Sequence, residues 1–272
     1  MAFFPTNQNL FCVMLVILTT FLLLATELVN SQKTVSFDIT NFTNSESSVS
    51  LQGAAVITRD GLVSLTPTDN EHVGRLLYLT PVSIWDSNTG NIASFITSFR
   101  FDVVSFLDLP PASGFVFHLV PEDKADIPSN SAGGYLGIVD SQNANNQFVG
   151  VEFDTVSPWD PPYNHVGIDV NSVLSLNTVK WNRVSGSFVD VDISYDPVSK
   201  TLNVVVKYRD GTFKTFDQVI DLKQVLPPTV RIGFSAAITT DAHQFHNIHS
   251  WSFHSNLDTT TTTTSANNIA SI

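Results

Sequence analysis

The sequence predicts an all-β protein built as a sandwich of antiparallel sheets. Ten short runs of alternating or β-branched residues follow one another, and Asn, Asp, Gly, Ser and Pro separate them. A helical period extends over no more than about two turns anywhere, so the crossover helices of a parallel sheet are not expected. The 272 residues are 43% hydrophobic and include 20 Phe, which is enough apolar material for one large core.

The predicted strands lie at regular intervals along the chain. In the clearest run, Val191, Ile193 and Tyr195 alternate with polar residues, as in a strand with one buried face. The pair Asp196-Pro197 then predicts a hairpin into the next run. The ten runs are 34–39, 54–58, 93–103, 114–120, 147–153, 165–172, 187–196, 201–210, 229–237 and 249–255.

The N-terminal residues 1–31 are predicted to be a secretory signal peptide. The run from Leu10 to Ala25 is almost entirely apolar, and Val29 and Ser31 fit the −3 and −1 positions of a cleavage site. A signal anchor is the alternative, although the run is short for a membrane span. The only cysteine, Cys12, lies in this segment, so the exported chain would contain no disulfide. We therefore expect a secreted, extracellular protein without a membrane span.

The exported part is predicted to be one β-sandwich domain, residues 32–257, followed by a disordered Thr-rich tail at 258–272. The 13 basic and 25 acidic residues give a net charge of −12, and the basic residues are scattered. Nucleic acid is therefore not expected as a partner, because its binding requires a clustered positive surface. The sequon Asn41-Phe42-Thr43 precedes turn-forming residues and predicts N-glycosylation at Asn41.

A candidate metal site lies in the segment 151–172. Glu152 and Asp154 are two residues apart on a predicted strand, so both carboxylates project from the same face. An otherwise apolar strand places two anions together at a high cost unless something neutralises them. A Pro-rich loop returns Asp160 and His165 toward them, and mixed oxygen and nitrogen ligands suit a transition metal, with Ca²⁺ beside it. The alternative is that these acids line a solvated sheet face.

This segment resembles the metal-binding signature of the legume lectins, and the resemblance extends from about Ser36 to Leu257. Further matching motifs are SFRF, GFVFHLVP, AGGYLGI, HVGIDVNS, GFSAA and SWSFHSNL. The resemblance implies a concanavalin-like jelly-roll sandwich with a flat back sheet and a curved front sheet. It also implies loops that hold Mn²⁺ and Ca²⁺ beneath a shallow sugar site, binding to glycans or glycoproteins, and assembly into a homodimer or homotetramer.

The resemblance also assigns individual ligands. The transition metal would be held by Glu152, Asp154, Asp160 and His165, with Ser175 beside a metal-bound water. The Ca²⁺ ligands would be Asp154, Asp160 and the carbonyl oxygen of Val156.

The sugar-binding loops depart from the family pattern at two positions. Ser113 stands where the family has an Asp that accepts hydrogen bonds from sugar hydroxyls. Pro158 stands where the family has an Asn that ligates Ca²⁺ and contacts the sugar, and proline offers neither a side-chain oxygen nor an N–H. Gly134, which supplies a backbone N–H, is kept. We therefore expect weak Ca²⁺ binding and a weakened or altered affinity for sugars.

Three functions from different classes follow from these residues. The first is a lectin of plant defence or symbiosis in the apoplast. The second is a lectin-like storage or defence protein that acts through protein contacts and binds no sugar. The third, a β-sandwich glycosidase, is disfavoured because Ser157 stands where the second Glu of the catalytic strand motif belongs, so no enzymatic activity is expected. His118, His249 and His254 are interpreted as ordinary strand residues, whereas His243 and His246 are assigned to the fourth sugar loop.

Overall fold

Two antiparallel β-sheets face each other in the computed structural model, which describes residues 32–67, 73–105, 113–143, 145–155, 161–239 and 244–260. The strands of the back sheet are β1 (Gln32–Ile39), β3 (Val56–Ile57), β4 (Val63–Ser64), β7 (Ser94–Ser105), β12 (Val189–Asp196), β13 (Thr201–Tyr208), β14 (Phe213–Val219) and β16 (Gln244–Asp258). The strands of the front sheet are β2 (Val49–Gly53), β5 (Val73–Tyr78), β6 (Val82–Ser83), β8 (Gly114–Pro121), β9 (Val149–Asp154), β10 (His165–Val170), β11 (Asn177–Lys180) and β15 (Thr229–Ala237).

Neighbouring strands in each sheet often come from distant parts of the chain. The back sheet runs β14-β13-β12-β7-β16-β4-β3, and β1 also pairs with β16. The front sheet runs β11-β10-β9-β8-β15-β5-β2, and β6 also pairs with β15. Within the described residues the only α-helix is the single turn α1 (Leu222–Val225), and short 3-10 turns lie at Phe42–Ser48, Glu122–Lys124 and Gly133–Tyr135. The predicted all-β class is therefore confirmed.

Aromatic side chains fill the space between the sheets. The ring of Phe99 on the back sheet lies 4.9 Å from that of Phe234 on the front sheet, edge to face. Phe101 likewise approaches Phe115 at 4.7 Å and Phe153 at 4.8 Å. All five side chains are buried. Burying one Phe contributes about 1.5–3 kcal/mol, so the period-of-two placement of Phe along these strands stabilises the sandwich.

The front sheet is also covered on its outer face. All eight residues of β8 are buried, because residues 131–143 and 145–148 fold over the sheet. Val116 and Val120 of β8 pack there with Leu136, Ile138 and Phe148 in a second apolar cluster. The strand next to the candidate site is thereby held from both sides.

One end of the front sheet carries a straight row of paired residues. Asp154 of β9 lies opposite Gly114 of β8 on one side and His165 of β10 on the other. Gly114 in turn pairs with Ala237, and His165 with Lys180. The strand ends that adjoin residues 106–112, 156–160 and 240–243 in the sequence therefore meet along one edge.

Each of the ten predicted strand runs overlaps an observed strand, and Asp196 lies opposite Thr201 as the predicted hairpin requires. The last strand is longer than predicted. It begins at Gln244 rather than 249, because a register shift between Ile248 and Ser250 lets β16 keep its pairing with β7. The strands β2, β4, β5, β6, β11 and β14 were not predicted. The signal peptide assigned to residues 1–31 and residues 261–272 of the tail lie outside the described residues.

Over the part of the chain that is described, no helix has the length and apolar character that a bilayer-spanning segment needs.

Candidate functional site

Three of the predicted metal ligands come together on the outer face of the front sheet. Glu152 and Asp154 project from β9, and His165 lies opposite Asp154 on β10. One ligand atom from each residue lies within 4.8 Å of the others, and all three residues are buried. The predicted ligands Val156 and Asp160 lie outside the described residues, as does Pro158. The alternative of a solvated sheet face is wrong for the described ligands, because water does not reach them.

The hydrogen bonds of His165 favour a cation beside it. Its Nδ1 lies 3.1 Å from the carbonyl oxygen of Tyr163, which can only accept, so Nδ1 carries the proton. The other nitrogen, Nε2, lies 3.0 Å from Oε1 of Glu152. Two acceptors at this distance need a proton between them, carried by the imidazole or by the carboxyl group, or a metal ion that both of them bind. An imidazole whose other N–H donates to a carbonyl is the usual arrangement of a metal-ligating histidine.

Ser175 and Asp169 extend this group of acids. The hydroxyl of Ser175 lies 2.8 Å from Oε1 of Glu152 and 2.7 Å from Oδ1 of Asp169. A hydroxyl has one proton and can donate to only one of them at a time. Glu152, Asp154 and Asp169 thus bring three buried carboxyl groups to one place, and such a group requires compensating positive charge. The donor set of carboxylates and one imidazole fits a divalent transition metal.

Asp169 was not predicted from the sequence. It lies two and four residues from Gly167 and His165 on β10, so it shares their face of the sheet. The even spacing between His165 and Asp169 is the sequence signal that could have identified Asp169 as a member of the site.

The tight packing of this cluster requires a glycine at 167. Gly167 lies opposite Glu152, and a Cβ atom there would be 1.9 Å from Oγ of Ser175 and 2.8 Å from Oε1 of Glu152. Both distances are far shorter than van der Waals contact.

Two of the predicted sugar-binding residues, Ser113 and Gly134, are described, and they lie close together. Both are beside the metal cluster, our name for the side chains of Glu152, Asp154 and His165. Ser113 precedes β8 and is buried, and Gly134 is half-buried in the 3-10 turn Gly133–Tyr135. A Cβ atom on Gly133 would lie 3.9 Å from Oγ of Ser113 and 3.4 Å from Cγ2 of Thr239. Because Gly114 pairs with Asp154, this group adjoins the carboxylates across one strand-to-strand distance.

His246 differs from its predicted place. It was assigned to the fourth sugar loop, but it is a fully buried residue of β16. Its Nδ1 lies 2.8 Å from Oγ1 of Thr66, and its Nε2 lies 3.0 Å from Oε1 of Gln244. Burial, and then the positive charge of Arg183, lowers the pKa of His246 to about 3, so the ring is neutral. His243 lies outside the described residues.

The three histidines that were interpreted as ordinary strand residues do lie in strands. His118 lies in β8 and both His249 and His254 lie in β16. His249 contacts Asp102 at 2.5 Å, and His254 is exposed.

The sequon residue Asn41 caps the 3-10 turn Phe42–Ser48. Its Oδ1 accepts a hydrogen bond from the N–H of Thr43 at 3.0 Å. Its amide packs against Gly61, where a Cβ atom would lie 2.3 Å from Nδ2. Glycosylation at Asn41 remains a prediction.

Comparison with known proteins adds the family. A sequence model of the legume lectin domain matches residues 34–269. The chain is 47% identical over 265 residues to the galactose-binding lectin of Arachis hypogaea, with 95% of each chain covered. It is 46% identical over 249 residues to the non-seed lectin of Pisum sativum, covering 89% of this chain and 91% of that one. The solved structure of a Lotus tetragonolobus seed lectin superposes with a TM-score of 0.78 at 48% identity, covering 82% of this chain and 99% of that one.

All three relatives are named as lectins, a class of carbohydrate-binding proteins that are not enzymes. The family model spans most of the sequence, and the two curated relatives align over nearly the whole chain. The chain therefore belongs to the legume lectin family.

Proposed function

We propose that this protein is a non-enzymatic carbohydrate-binding lectin whose sugar loops depend on a bound metal ion. The observation that carries the proposal is the buried group of Glu152, Asp154 and His165 directly beside Ser113. A divalent cation would neutralise these carboxylates and hold the ends of the neighbouring loops. The family relationship supports the same reading, since a relative from Arachis hypogaea is named for binding galactose.

The metal is proposed to be Mn²⁺ or a similar transition metal, with Asp160 as a further ligand. Ca²⁺, which would use Val156 and Asp160, is proposed to bind weakly because Pro158 offers no side-chain oxygen. Elemental analysis after dialysis against both ions tests this. We expect about one transition-metal ion per chain and less Ca²⁺, whereas one tightly held Ca²⁺ per chain would contradict the proposal.

The affinity for simple sugars is proposed to be weakened. Loss of a charged acceptor at Ser113 costs about 1.5–3 kcal/mol, and loss of an Asn amide at Pro158 costs about 1 kcal/mol more. Millimolar binding is worth only about −4 kcal/mol, so little remains for a free hexose. Recognition would then depend on a larger glycan, with additional contacts beyond one sugar ring.

Titration calorimetry with mannose, glucose and galactose, with and without a chelator, tests the sugar proposal. We expect no measurable heat of binding for the free hexoses and metal-dependent binding of larger glycans on a printed panel. A millimolar isotherm for a free hexose that disappears with the chelator would contradict the weakened affinity. As a control, Ser113→Asp combined with insertion of Asn after Ser157 should restore hexose binding, whereas either change alone should not.

A second candidate is a lectin-like storage or defence protein that binds no sugar. The absence of a carboxylate side chain at Ser113 favours it. Failure of the metal-loaded protein to bind any mannose-, galactose- or fucose-terminated glycan on the panel would favour this candidate over the first.

The protein is further proposed to assemble as a homodimer or homotetramer. The edge strand β1 pairs along its whole length with β16, and among the described strands none pairs with its other side. Such an edge is a template for pairing with a second copy. Analytical ultracentrifugation at micromolar concentration should show a dimer or tetramer, and a single monomeric species would contradict this.

Secretion to the apoplast, with a role in defence or symbiosis, completes the proposal. It rests on the apolar N-terminal segment and on the sequon. N-terminal sequencing of the protein purified from plant extracellular fluid should show that the exported chain begins at Gln32. Digestion with an N-glycosidase should reduce its mass, and Asn41→Gln should abolish that reduction.

A further inference from the structure

A buried hydrogen-bond network centred on Gln244 lies at the end of the sandwich that carries the site. The side-chain Oε1 of Gln244 lies 3.1 Å from Oγ1 of Thr155 and 3.0 Å from Nε2 of His246. Its Nε2 donates to Oγ of Ser105 at 2.8 Å. Gln244, Thr155 and His246 are buried, with exposed fractions of 1%, 5% and 0%.

This network joins the two sheets next to the candidate site. Gln244 begins β16 and Ser105 ends β7, both in the back sheet, while Thr155 directly follows β9 in the front sheet. Thr155 also binds the segment before β8, because its N–H donates to the carbonyl oxygen of Ser113 at 2.7 Å. Its hydroxyl lies 3.0 Å from the same oxygen, and its one proton goes either to this oxygen or to Gln244. The neighbour of the metal-cluster residue Asp154 is thus bonded to Ser113 and to the back sheet.

The chemistry of Gln244 suits this junction. A neutral amide both accepts and donates, so one side chain can bind hydroxyl groups from both sheets at once. Nδ1 of the neutral His246 ring lies 2.8 Å from Oγ1 of Thr66, whose hydroxyl donates to the backbone carbonyl oxygen of Gln244 at 2.8 Å, so Thr66 joins His246 to Gln244 a second time. Hydrogen bonds between such deeply buried groups cost much free energy to break, because a broken bond leaves a buried polar atom without a partner.

Thr155 and Gln244 are too deeply buried to contact a glycan themselves. Any influence on binding must therefore act through the positions of the segments that they join.

We propose that Thr155 and Gln244 are positioning residues that hold the segment around Ser113 in register with the metal-cluster residue Asp154, and thereby set the affinity for glycans. This inference rests on the proposed lectin function. Their hydrogen bonds make the two parts of the site, sugar loop and metal cluster, one rigid unit tied to the back sheet.

Conservative variants of Thr155 test the proposal. Thr155→Val removes the hydroxyl at nearly constant volume, and Thr155→Ser keeps it. Thr97→Val is the matched control, because Thr97 is also fully buried and makes two hydrogen bonds, to the carbonyl of Ser252 at 2.8 Å and from Nε1 of Trp251 at 2.9 Å. Its hydrogen bonds lie within the back sheet. If Thr155→Val does not fold, Gln244→Met removes the other half of the same bond.

Hydrogen–deuterium exchange of the Mn²⁺-loaded protein gives the first readout. Loss of the bond should speed exchange about fivefold or more in peptides covering 113–117 and 244–248 for Thr155→Val. Thr155→Ser should stay within about twofold of the unmodified protein, and Thr97→Val should show no such localised effect. Equal exchange in Thr155→Val and Thr97→Val at these peptides would overturn the proposal.

Binding to the printed glycan panel gives the second readout. We expect Thr155→Val to weaken binding at least about fivefold, and Thr155→Ser and Thr97→Val to leave it within about twofold. Faster exchange with unchanged glycan binding would overturn the link to affinity. If the unmodified protein binds no glycan on the panel, the lectin function fails, and the exchange measurement still decides whether Thr155 and Gln244 position the segment.

Discussion

Replacing Gly167 with alanine should destabilise the protein through one neighbour, Ser175. The new Cβ would lie 1.9 Å from the hydroxyl oxygen of Ser175, whereas its next contact, Oε1 of Glu152, is at 2.8 Å. Either the strands separate, which costs about 1–3 kcal/mol for overpacking, or Ser175 rotates away and loses a hydrogen bond to a carboxylate worth about 1.5–3 kcal/mol. We expect a loss of about 2–3 kcal/mol in the free energy of unfolding.

The double variant Gly167→Ala with Ser175→Ala separates this cause from a general effect on β10. Truncating Ser175 removes the shortest contact but leaves Oε1 of Glu152 at 2.8 Å and Cβ of residue 175 at 2.9 Å, so adding Gly167→Ala to it should cost less than in the unmodified protein, about 1 kcal/mol. Urea unfolding in excess chelator measures all three variants without a contribution from metal binding. The two substitutions should therefore be strongly non-additive. If their effects add within about 0.5 kcal/mol, the contact with Ser175 is not the cause and the reasoning is refuted.

Three further predictions concern other buried polar groups. His165→Ala should abolish the rise in melting temperature that Mn²⁺ produces. At a Mn²⁺ concentration one hundred times Kd, that rise corresponds to about 2.7 kcal/mol in the free energy of unfolding. An unchanged rise would contradict the role of His165 as a ligand. Burial, and then the charge of Arg75, holds the pKa of His118 well below 6.5, so the unfolded chain takes up a proton that the folded chain does not, and stability falls as the pH drops below 6.5. His118→Leu should flatten that fall between about pH 6.5 and 4 and raise the free energy of unfolding by about 1–3 kcal/mol at pH 7, because no described residue forms a hydrogen bond with either ring nitrogen. Calorimetry across this pH range checks both effects, and a variant that is less stable at pH 7 would contradict the prediction. Arg75→Met should cost about 3 kcal/mol or more in urea unfolding, because its guanidinium donates to the carbonyls of Ala125, Asp126 and Gly137 at 2.8, 2.9 and 2.6 Å; a loss below about 1 kcal/mol would show that water replaces these bonds.

Local alternation was sufficient to predict most strands and part of the site. Successive side chains of β9 alternate between its two faces, so Glu152 and Asp154 share one face and Val151 and Phe153 share the other. This alternation can be read directly from the sequence. The strand β5 was missed because Arg75 interrupts its apolar pattern. The carbonyls that bind its guanidinium come from residues 49 to 62 positions further along the chain, which no local pattern records.

Asp169 and Gln244 were not predicted for the same reason, because no local pattern records the residues that they contact. An Asp in the middle of β10 looks like any solvated strand residue until Ser175 is placed against Asp169. The bond between Thr155 and Gln244 joins residues 89 positions apart and depends on the packing of two sheets. The family resemblance pointed to Ser175, but it supplied no signal for Gln244.

The alternation along β9 ties metal binding to correct folding. Because successive side chains point to opposite faces, a shift of one residue in the pairing of β9 would turn Glu152 and Asp154 into the apolar core and Phe153 toward the outer face. The same shift would separate both carboxylates from His165. An ion held by Glu152, Asp154 and His165 would thus select the register that also builds the aromatic core. Chains that mispair during folding would lack the site, and retention of a transition metal would report native strand pairing in a refolded sample.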